Sequence, residues 1–363
     1  MAWRILMNKL HSKYPSIGQF RQIIKDVHDK VKYVGNDAEG LPIFDRSRKA
    51  PILTFTGAVK LHGTNAGIKF NFDDDDFSVQ SRTNIITPEH DNAGFAAYVH
   101  YNKDSYLQLF KGIKSFLKDL GDGYYSNHYY GAVIYGEWCA GNIQKNVGIN
   151  GLPKMFVVFG IKILSKINDE LGNVWLSDGY VRDSVQNDAV THLYNIFSFP
   201  TYSIDIDFEQ PEQAQNQLIE YTNAVEKECP VAKAFGVSGG TGEGIVWTCY
   251  HEGVIYRMKV KGEAHSISKV KVLAPVDIER VNSINELVLN VATENRFNQG
   301  LDYLRENHIE LCVENTGAFI KWVNGDIIKE ELDLIVGSGF DTKAILGPVS
   351  RKAKTWFFEQ VFS

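Results

Sequence analysis

Apolar positions along this chain recur at two spacings, and the spacing predicts the elements. Phe20, Ile23, Ile24, Val27 and Val31 fall on one helical face, and Ser16-Ile17-Gly18-Gln19 reads as a capping box ahead of it. Ile68-Lys69-Phe70 and Phe77-Ser78-Val79 read as hairpin strands around Asp73 to Asp76, four aspartates at a solvated tip without the spacing of a calcium loop. Thr87-Pro88 opens a helical region to about Leu120, with Tyr106, Leu109, Phe110, Ile113, Phe116 and Leu117 at core spacing. Ala132-Val133-Ile134 and Phe156-Val157-Val158-Phe159-Gly160-Ile161 are buried-strand patterns. Pro211 begins a helix with Leu218, Tyr221 and Val225 on one stripe. Glu243-Gly244-Ile245-Val246 opens a strand after the flexible stretch Gly236 to Gly242. In Arg257-Met258-Lys259-Val260-Lys261 the period is two, which puts Lys259 and Lys261 on one strand face and Met258 and Val260 on the other. Beyond Pro275 the pattern is helical: Ile284, Leu287, Val288 and Val291, then Leu301 with Leu304, then a tail helix from Lys343 to Phe358.

The predicted class is α+β. A larger domain over residues 51–274 combines strands with flanking helices, preceded by an N-terminal helical extension (1–50) packed on it. A small all-helical C-terminal domain follows (275–363).

Composition narrows the class. At 44% hydrophobic the chain is an ordinary globular one without a run long enough for a membrane span, and residues 1–10 lack a signal-peptide layout. A cytoplasmic protein is expected (host cytoplasm if viral), a monomer by default. Four scattered cysteines fit reduced core residues better than zinc ligands or disulfides. The net charge of −6 argues against indiscriminate coating of nucleic acid but leaves room for a local basic groove. Arg257, Lys259, Lys261, Lys269 and Lys271 form the best such stripe, and the acidic cluster Glu330, Glu331 and Asp333 reads as a solvated face.

The candidate chemistry centres on Val59-Lys60-Leu61-His62-Gly63-Thr64-Asn65. A lysine amine attacks phosphorus only when neutral, and its ordinary pKa is about 10.4, so a site must depress it with nearby cations or a metal. Lys259 and Lys261 would bind a triphosphate and supply that field. Glu137, closing the strand Tyr135-Gly136-Glu137-Trp138, can accept hydrogen bonds from ribose hydroxyls, and Phe159 offers a face to a purine. Singly, each has a plain alternative: a strand end, a core aromatic, a hairpin turn, a solvated strand face. In this order and strand context, all of those alternatives would have to hold together.

The chain resembles the covalent nucleotidyltransferase superfamily of ATP-dependent ligases and capping enzymes. More narrowly it resembles the RNA ligase 2 family, nick-sealing enzymes related to kinetoplast RNA-editing ligases. That likeness rests on Lys60 to Asn65, on Gly136-Glu137-Trp138-Cys139-Ala140-Gly141-Asn142-Ile143-Gln144-Lys145-Asn146-Val147, and on Ser81-Arg82-Thr83. It covers residues 52–271 and implies that residues 51–274 form a nucleotidyltransferase (adenylation) domain built on antiparallel sheets with flanking helices; the helical C-terminus favours this family over relatives that carry a small β-barrel there. The resemblance implies a lysyl-AMP on Lys60, RNA-end positioning by Asn65 and Arg82, and a part for His62 after adenylation. It further implies ribose binding by Glu137, adenine stacking on Phe159, divalent metal at Glu243, and phosphate contacts from Lys259 and Lys261. ATP as AMP donor, Mg²⁺ (or Mn²⁺), and RNA with 3′-hydroxyl and 5′-phosphate ends are the implied cofactors and partner.

Three positions depart from the family pattern. Val59 stands where an acid usually precedes the nucleophile, Gly160 where an aspartate usually follows the stacking phenylalanine, and Trp247-Thr248 where a lysine often lies. A DNA ligase, a GTP-dependent capping guanylyltransferase, and a nucleic-acid end-binding protein without catalysis remain the alternatives.

Overall fold

The computed structural model describes residues 11–73, 76–119, 128–166, 172–266 and 284–362. In chain order these form α1 (Phe20–Lys32), β1 (Tyr33–Asn36), β2 (Pro42–Phe44), β3 (Ile52–Lys60), β4 (Gly63–Asn71), β5 (Phe77–Ser81) and β6 (Ile85–Ile86). Next come α2 (Phe95–Tyr101), α3 (Lys103–Asp119), β7 (Tyr129–Cys139), β8 (Met155–Ser165), β9 (Val174–Trp175), α4 (Asp178–Ser184), β10 (Leu193–Asn195) and β11 (Thr201–Asp207). The rest are α5 (Glu212–Lys227), α6 (Pro230–Ala234), β12 (Gly244–His251), β13 (Val254–Lys261), α7 (Ile284–Val291), α8 (Glu294–Glu306), α9 (Thr316–Gly337) and α10 (Thr342–Val361). Mixed α+β architecture on largely antiparallel sheets, with helices at the C-terminus, is therefore observed.

The chain packs as two compact units. One comprises residues 1–16, 58–201 and 225–243; the other comprises 17–57, 202–224 and 244–363. Residues 51–274 contribute to both, and the boundary expected at Pro275 lies outside the described residues, as do Lys269 and Lys271.

In the first unit a sheet of order β10-β8-β7-β4-β5-β6, with β9 on β8, is antiparallel apart from the β10–β8 pair. Alternation on β7 divides its side chains. Ala132, Ile134 and Trp138 join a core with Phe95, Phe110 and Ile113 of α2 and α3, while Val133 and Tyr135 face the other side. The expected helix start at Thr87-Pro88 moves to Phe95. Thr87 pairs with His90 as an isolated bridge, and Asp91 instead accepts the backbone N–H groups of Ala96 (2.7 Å) and Ala97 (2.8 Å). Asn102 interrupts what the pattern had as one helix.

In the second unit β11-β3-β12-β13 form a four-stranded sheet, and β1 pairs with β2. Residues 1–50 thus carry two strands besides the expected helix. The capping box forms one turn late, with the Gln19 N–H donating to Gln22 Oε1 at 2.8 Å. The cause is Gly18, which is held extended: its N–H donates to the Arg257 carbonyl and its own carbonyl accepts from the Lys259 N–H. On β13, Tyr256, Met258 and Val260 are buried while Arg257, Lys259 and Lys261 are half-exposed, the alternation the pattern predicted. The C-terminal helices bury Leu287, Val291, Phe297, Phe319, Val323, Ile327, Val349 and Phe357 together. Among them α9, at 22 residues, was not predicted. Its apolar stripe (Phe319, Val323, Ile327, Leu334) is interrupted by Glu330 and Glu331, which are themselves buried. The solvated acidic face expected there is in fact an ion-paired helix contact.

Candidate active site

Lys60 is the last residue of β3, and two residues later the chain reverses into β4. Gly63 makes that reversal possible. A Cβ there would sit 2.4 Å from the Trp138 carbonyl oxygen and 2.6 Å from Cys139 Cβ, so only glycine allows β4 to start flush against the end of β7. The Gly63 N–H then donates to Glu137 Oε1 at 3.0 Å. Register places Asn65 directly opposite Glu137. The nucleophile motif and the carboxylate strand are therefore locked together by main-chain pairing.

Glu243 completes the cluster. Lys60 Nζ donates to Glu243 Oε2 at 2.6 Å, and His62 Nδ1 lies 3.4 Å from the same oxygen. The Lys60 side chain is 21% exposed and that of Glu243 only 2%. The preceding glycine-rich stretch, read from sequence as flexible, is tied down. The Cys229 N–H donates to the Gly240 carbonyl (2.7 Å), the Gly148 N–H to the Thr241 carbonyl (2.8 Å) and the Gly242 N–H to the Glu226 carbonyl (3.3 Å). Burial pushes the Glu137 carboxyl up to about 7, reinforced by the Glu243 charge and opposed by Lys60, His62 and the Gly63 N–H. Two carboxylates thus flank one ammonium, one firmly paired with it and one poised near neutrality.

Phe159 is a bulge residue. Tyr135 pairs with Gly160 and Gly136 with Val158, which leaves Phe159 as the extra residue on β8, half-buried on the sheet face that carries Tyr135. Its neighbour there is Tyr14, with ring centroids 5.1 Å apart and nearly perpendicular; Tyr14 also meets Tyr135 (5.1 Å) and Trp175 (5.4 Å). The segment bearing Tyr14 is stitched to the sheet, since the Tyr135 hydroxyl donates to the Ser12 carbonyl (2.8 Å) and Gln80 exchanges hydrogen bonds with the Ser12 backbone. Gly160 has a matching explanation: a Cβ would lie 3.3 Å from the Trp175 ring, in the space an aspartate would need. Val59 is buried at 3% exposure, where an acid would be costly.

The structure thus brings Lys60, His62, Glu137 and Glu243 together, sets Asn65 beside Glu137 in register, and puts Phe159 on the same sheet. Arg82 is exposed in the turn between β5 and β6. Lys259 and Lys261 belong to the second unit, where Lys259 Nζ donates to Glu330 Oε1 at 2.9 Å. Sequence reasoning missed Tyr14 and Glu330. The available signal for Glu330 was its position, three residues after Ile327 and four before Leu334, on a stripe otherwise apolar. Among the described residues no group of three or more His, Cys, Asp or Glu is placed to hold a metal ion, and no helix is long and apolar enough to cross a membrane.

Against known proteins, residues 54–271 match the sequence model of the RNA ligase family. The chain belongs to that family. No curated protein matched the chain by sequence. Among solved structures, it is similar to a Naegleria gruberi RNA ligase with PPi at 17% identity, covering 70% of this chain and 56% of that one, with a TM-score of 0.41. Variants of the same enzyme are also similar. One with AMP and Mn has 15% identity over 70% and 56% of the two chains (TM-score 0.41), and one with ATP and Mn has 14% over 70% and 57% (TM-score 0.43). The likeness therefore spans little more than half the length of that ligase.

Proposed function

We propose that the protein is an ATP-dependent RNA ligase joining 3′-hydroxyl and 5′-phosphate ends, in nicked or bridged duplex RNA, through a lysyl-AMP on Lys60. Family membership supports RNA as the substrate. The observation that carries the chemistry is the Lys60 amine 2.6 Å from a buried carboxylate, beside a second carboxylate fixed by the Gly63 N–H.

In the first step Lys60 Nζ attacks the α-phosphorus of ATP; the N–P bond forms and the bond to pyrophosphate breaks. The proton lost from the ammonium has Glu243 Oε2 as its nearest acceptor. Glu137, once ionised, accepts from the ribose hydroxyls, and Phe159 packs against the adenine. Lys259 and Lys261 are assigned to the phosphates. In the second step a 5′-phosphate oxygen of RNA displaces Lys60 from phosphorus, and in the third a 3′-hydroxyl displaces AMP. Asn65 and Arg82 are assigned to the RNA end and His62 to these later steps. Such transfers depend on positioning and charge neutralisation more than on covalent chemistry by many groups.

Mg²⁺ fits the donor set, because it is commonly bound by one or two carboxylates with phosphates and water completing the shell. Glu243 would hold it, and when bound it would neutralise phosphate charge and favour the neutral amine.

Intact-mass measurement after incubation with Mg²⁺ and either ATP or GTP tests the proposal. A gain of one AMP from ATP alone is expected, followed by sealing of a nicked RNA duplex in preference to nicked DNA. A GMP adduct would assign the chain to capping, and no adduct from folded, unadenylated protein would leave an end-binding role.

A further inference from the structure

The buried acids of α9 serve Lys259. Glu330 is 3% exposed at its side chain and fixed on every side. Its Oε1 accepts from Lys259 Nζ (2.9 Å), its Oε2 accepts from Gln19 Nε2 (3.0 Å), and its backbone carbonyl accepts from Arg21 Nη2 (2.6 Å). Arg21 is in turn held by Glu331 (3.0 Å) and Asp333 (2.6 Å), and Glu331 also binds the fully buried Arg296 (3.0 Å). Burial opposes a charge on Glu330, but Lys259, Gln19 and Lys329 outweigh it and hold the carboxyl at about 2. It is an anion at any working pH.

We propose that Glu330 is a positioning residue for Lys259, so that α1 and α9 together fix the amine that the ligase reading assigns to the nucleotide's phosphates. The inference rests on that reading. An ammonium has three protons, and one directed at Glu330 leaves two for a ligand. A lysine stem is flexible, and holding its tip in advance removes an ordering cost that ligand binding would otherwise meet. A carboxylate meant only to neutralise Lys259 would not need both oxygens and its own carbonyl restrained. On this reading the C-terminal helices act on the adenylation step itself.

The test is Lys60 adenylation by the full-length chain at varied ATP, with thermal unfolding as the folding control. Glu330→Ala is expected to raise KM for ATP or slow the step by about tenfold to a hundredfold, the scale on which misplaced contacts act. Glu330→Gln keeps an acceptor for Lys259 and should recover most of that loss, a pattern that stability alone does not produce. Gln19→Ala, which removes one donor and leaves the pair, should give a smaller loss in the same direction if Glu330→Ala fails to fold. Faster adenylation or a lower KM in these variants would overturn the proposal and make Glu330 an inhibitory clasp; unchanged kinetics would also overturn it. Lys259→Ala separates the two levels. If it leaves adenylation intact, the phosphate assignment of Lys259 fails and the positioning role with it. If it abolishes adenylation while the Glu330 variants are normal, only the positioning role fails.

Discussion

Two lysines in this protein are each held by a carboxylate, and the two pairs are built differently. Lys60 meets Glu243 at 2.6 Å, where the lysine is partly open to solvent and His62 and Glu137 crowd the same centre. Lys259 meets Glu330 at 2.9 Å inside a charge network that includes Gln19, Arg21, Glu331 and Arg296. The first pair joins residues from recognisable motifs and is reached by solvent on the lysine side. The second is braced by groups outside those motifs, the arrangement expected of a pair that keeps a geometry.

The comparison can be broken most decisively at the nucleophile. Lys60→Ala should abolish the AMP adduct in intact-mass measurement while the protein remains folded, because a partly exposed amine adds little packing. An adduct surviving in that variant would assign the nucleophile elsewhere. Next in size is Glu331→Ala, which takes one of two carboxylates from buried Arg296, leaving Asp326 at 2.9 Å, and one from Arg21; a stability loss of about 3 kcal/mol is expected by denaturant unfolding. Glu243→Gln should cost only about 1 kcal/mol, since water can reach Lys60. Comparable losses in the two would erase the distinction between the solvent-reached Lys60 pair and the buried charge network around Lys259.

A pH series sharpens the first site further. If Glu137 holds the ribose as an anion, as proposed, ATP affinity should rise as pH passes upward through about 7, and Glu137→Gln should flatten the curve. Stability moves the opposite way. A carboxyl raised in the folded state carries no penalty below its unfolded value, and the penalty grows until pH exceeds about 7. An ATP-binding curve that is flat in the wild type would contradict the assignment. An effect as small as that of Glu243→Gln is expected at Gly160→Asp, which restores the family's usual acid but presses on Trp175 at 3.3 Å; a cost of about 1 kcal/mol should appear in thermal unfolding.

Much of the site was legible because its signals are local. Lys60 through Asn65, the strand ending in Glu137, Glu243 before its strand and the two-residue period of Arg257 to Lys261 are each contained within a few residues, and the strands form where the patterns put them. Local rules failed where a distant partner claimed the backbone or the charge. Gly18 is drawn extended by β13, so α1 starts late. At α2 the miss was local: Asp91, only five and six residues before Ala96 and Ala97, satisfies their N–H groups where the Thr87-Pro88 signal pointed further upstream. In α9 the acidic residues hid the apolar stripe, since Glu330 and Glu331 look like solvent-facing positions until Lys259, Arg21 and Arg296 are seen beside them.

The sequence by itself singled out Lys60 as the candidate nucleophile, the carboxylates Glu137 and Glu243, and the strand face of Lys259 and Lys261, because side-chain type and backbone period are properties of short segments. Only the tertiary structure decided that Glu243 is the partner of Lys60, that Trp175 fills the space beside Gly160, and that Glu330 holds Lys259. A charge can be buried only where its counter-charge arrives, and in this chain the counter-charge comes from residues as far as 183 and 310 positions away.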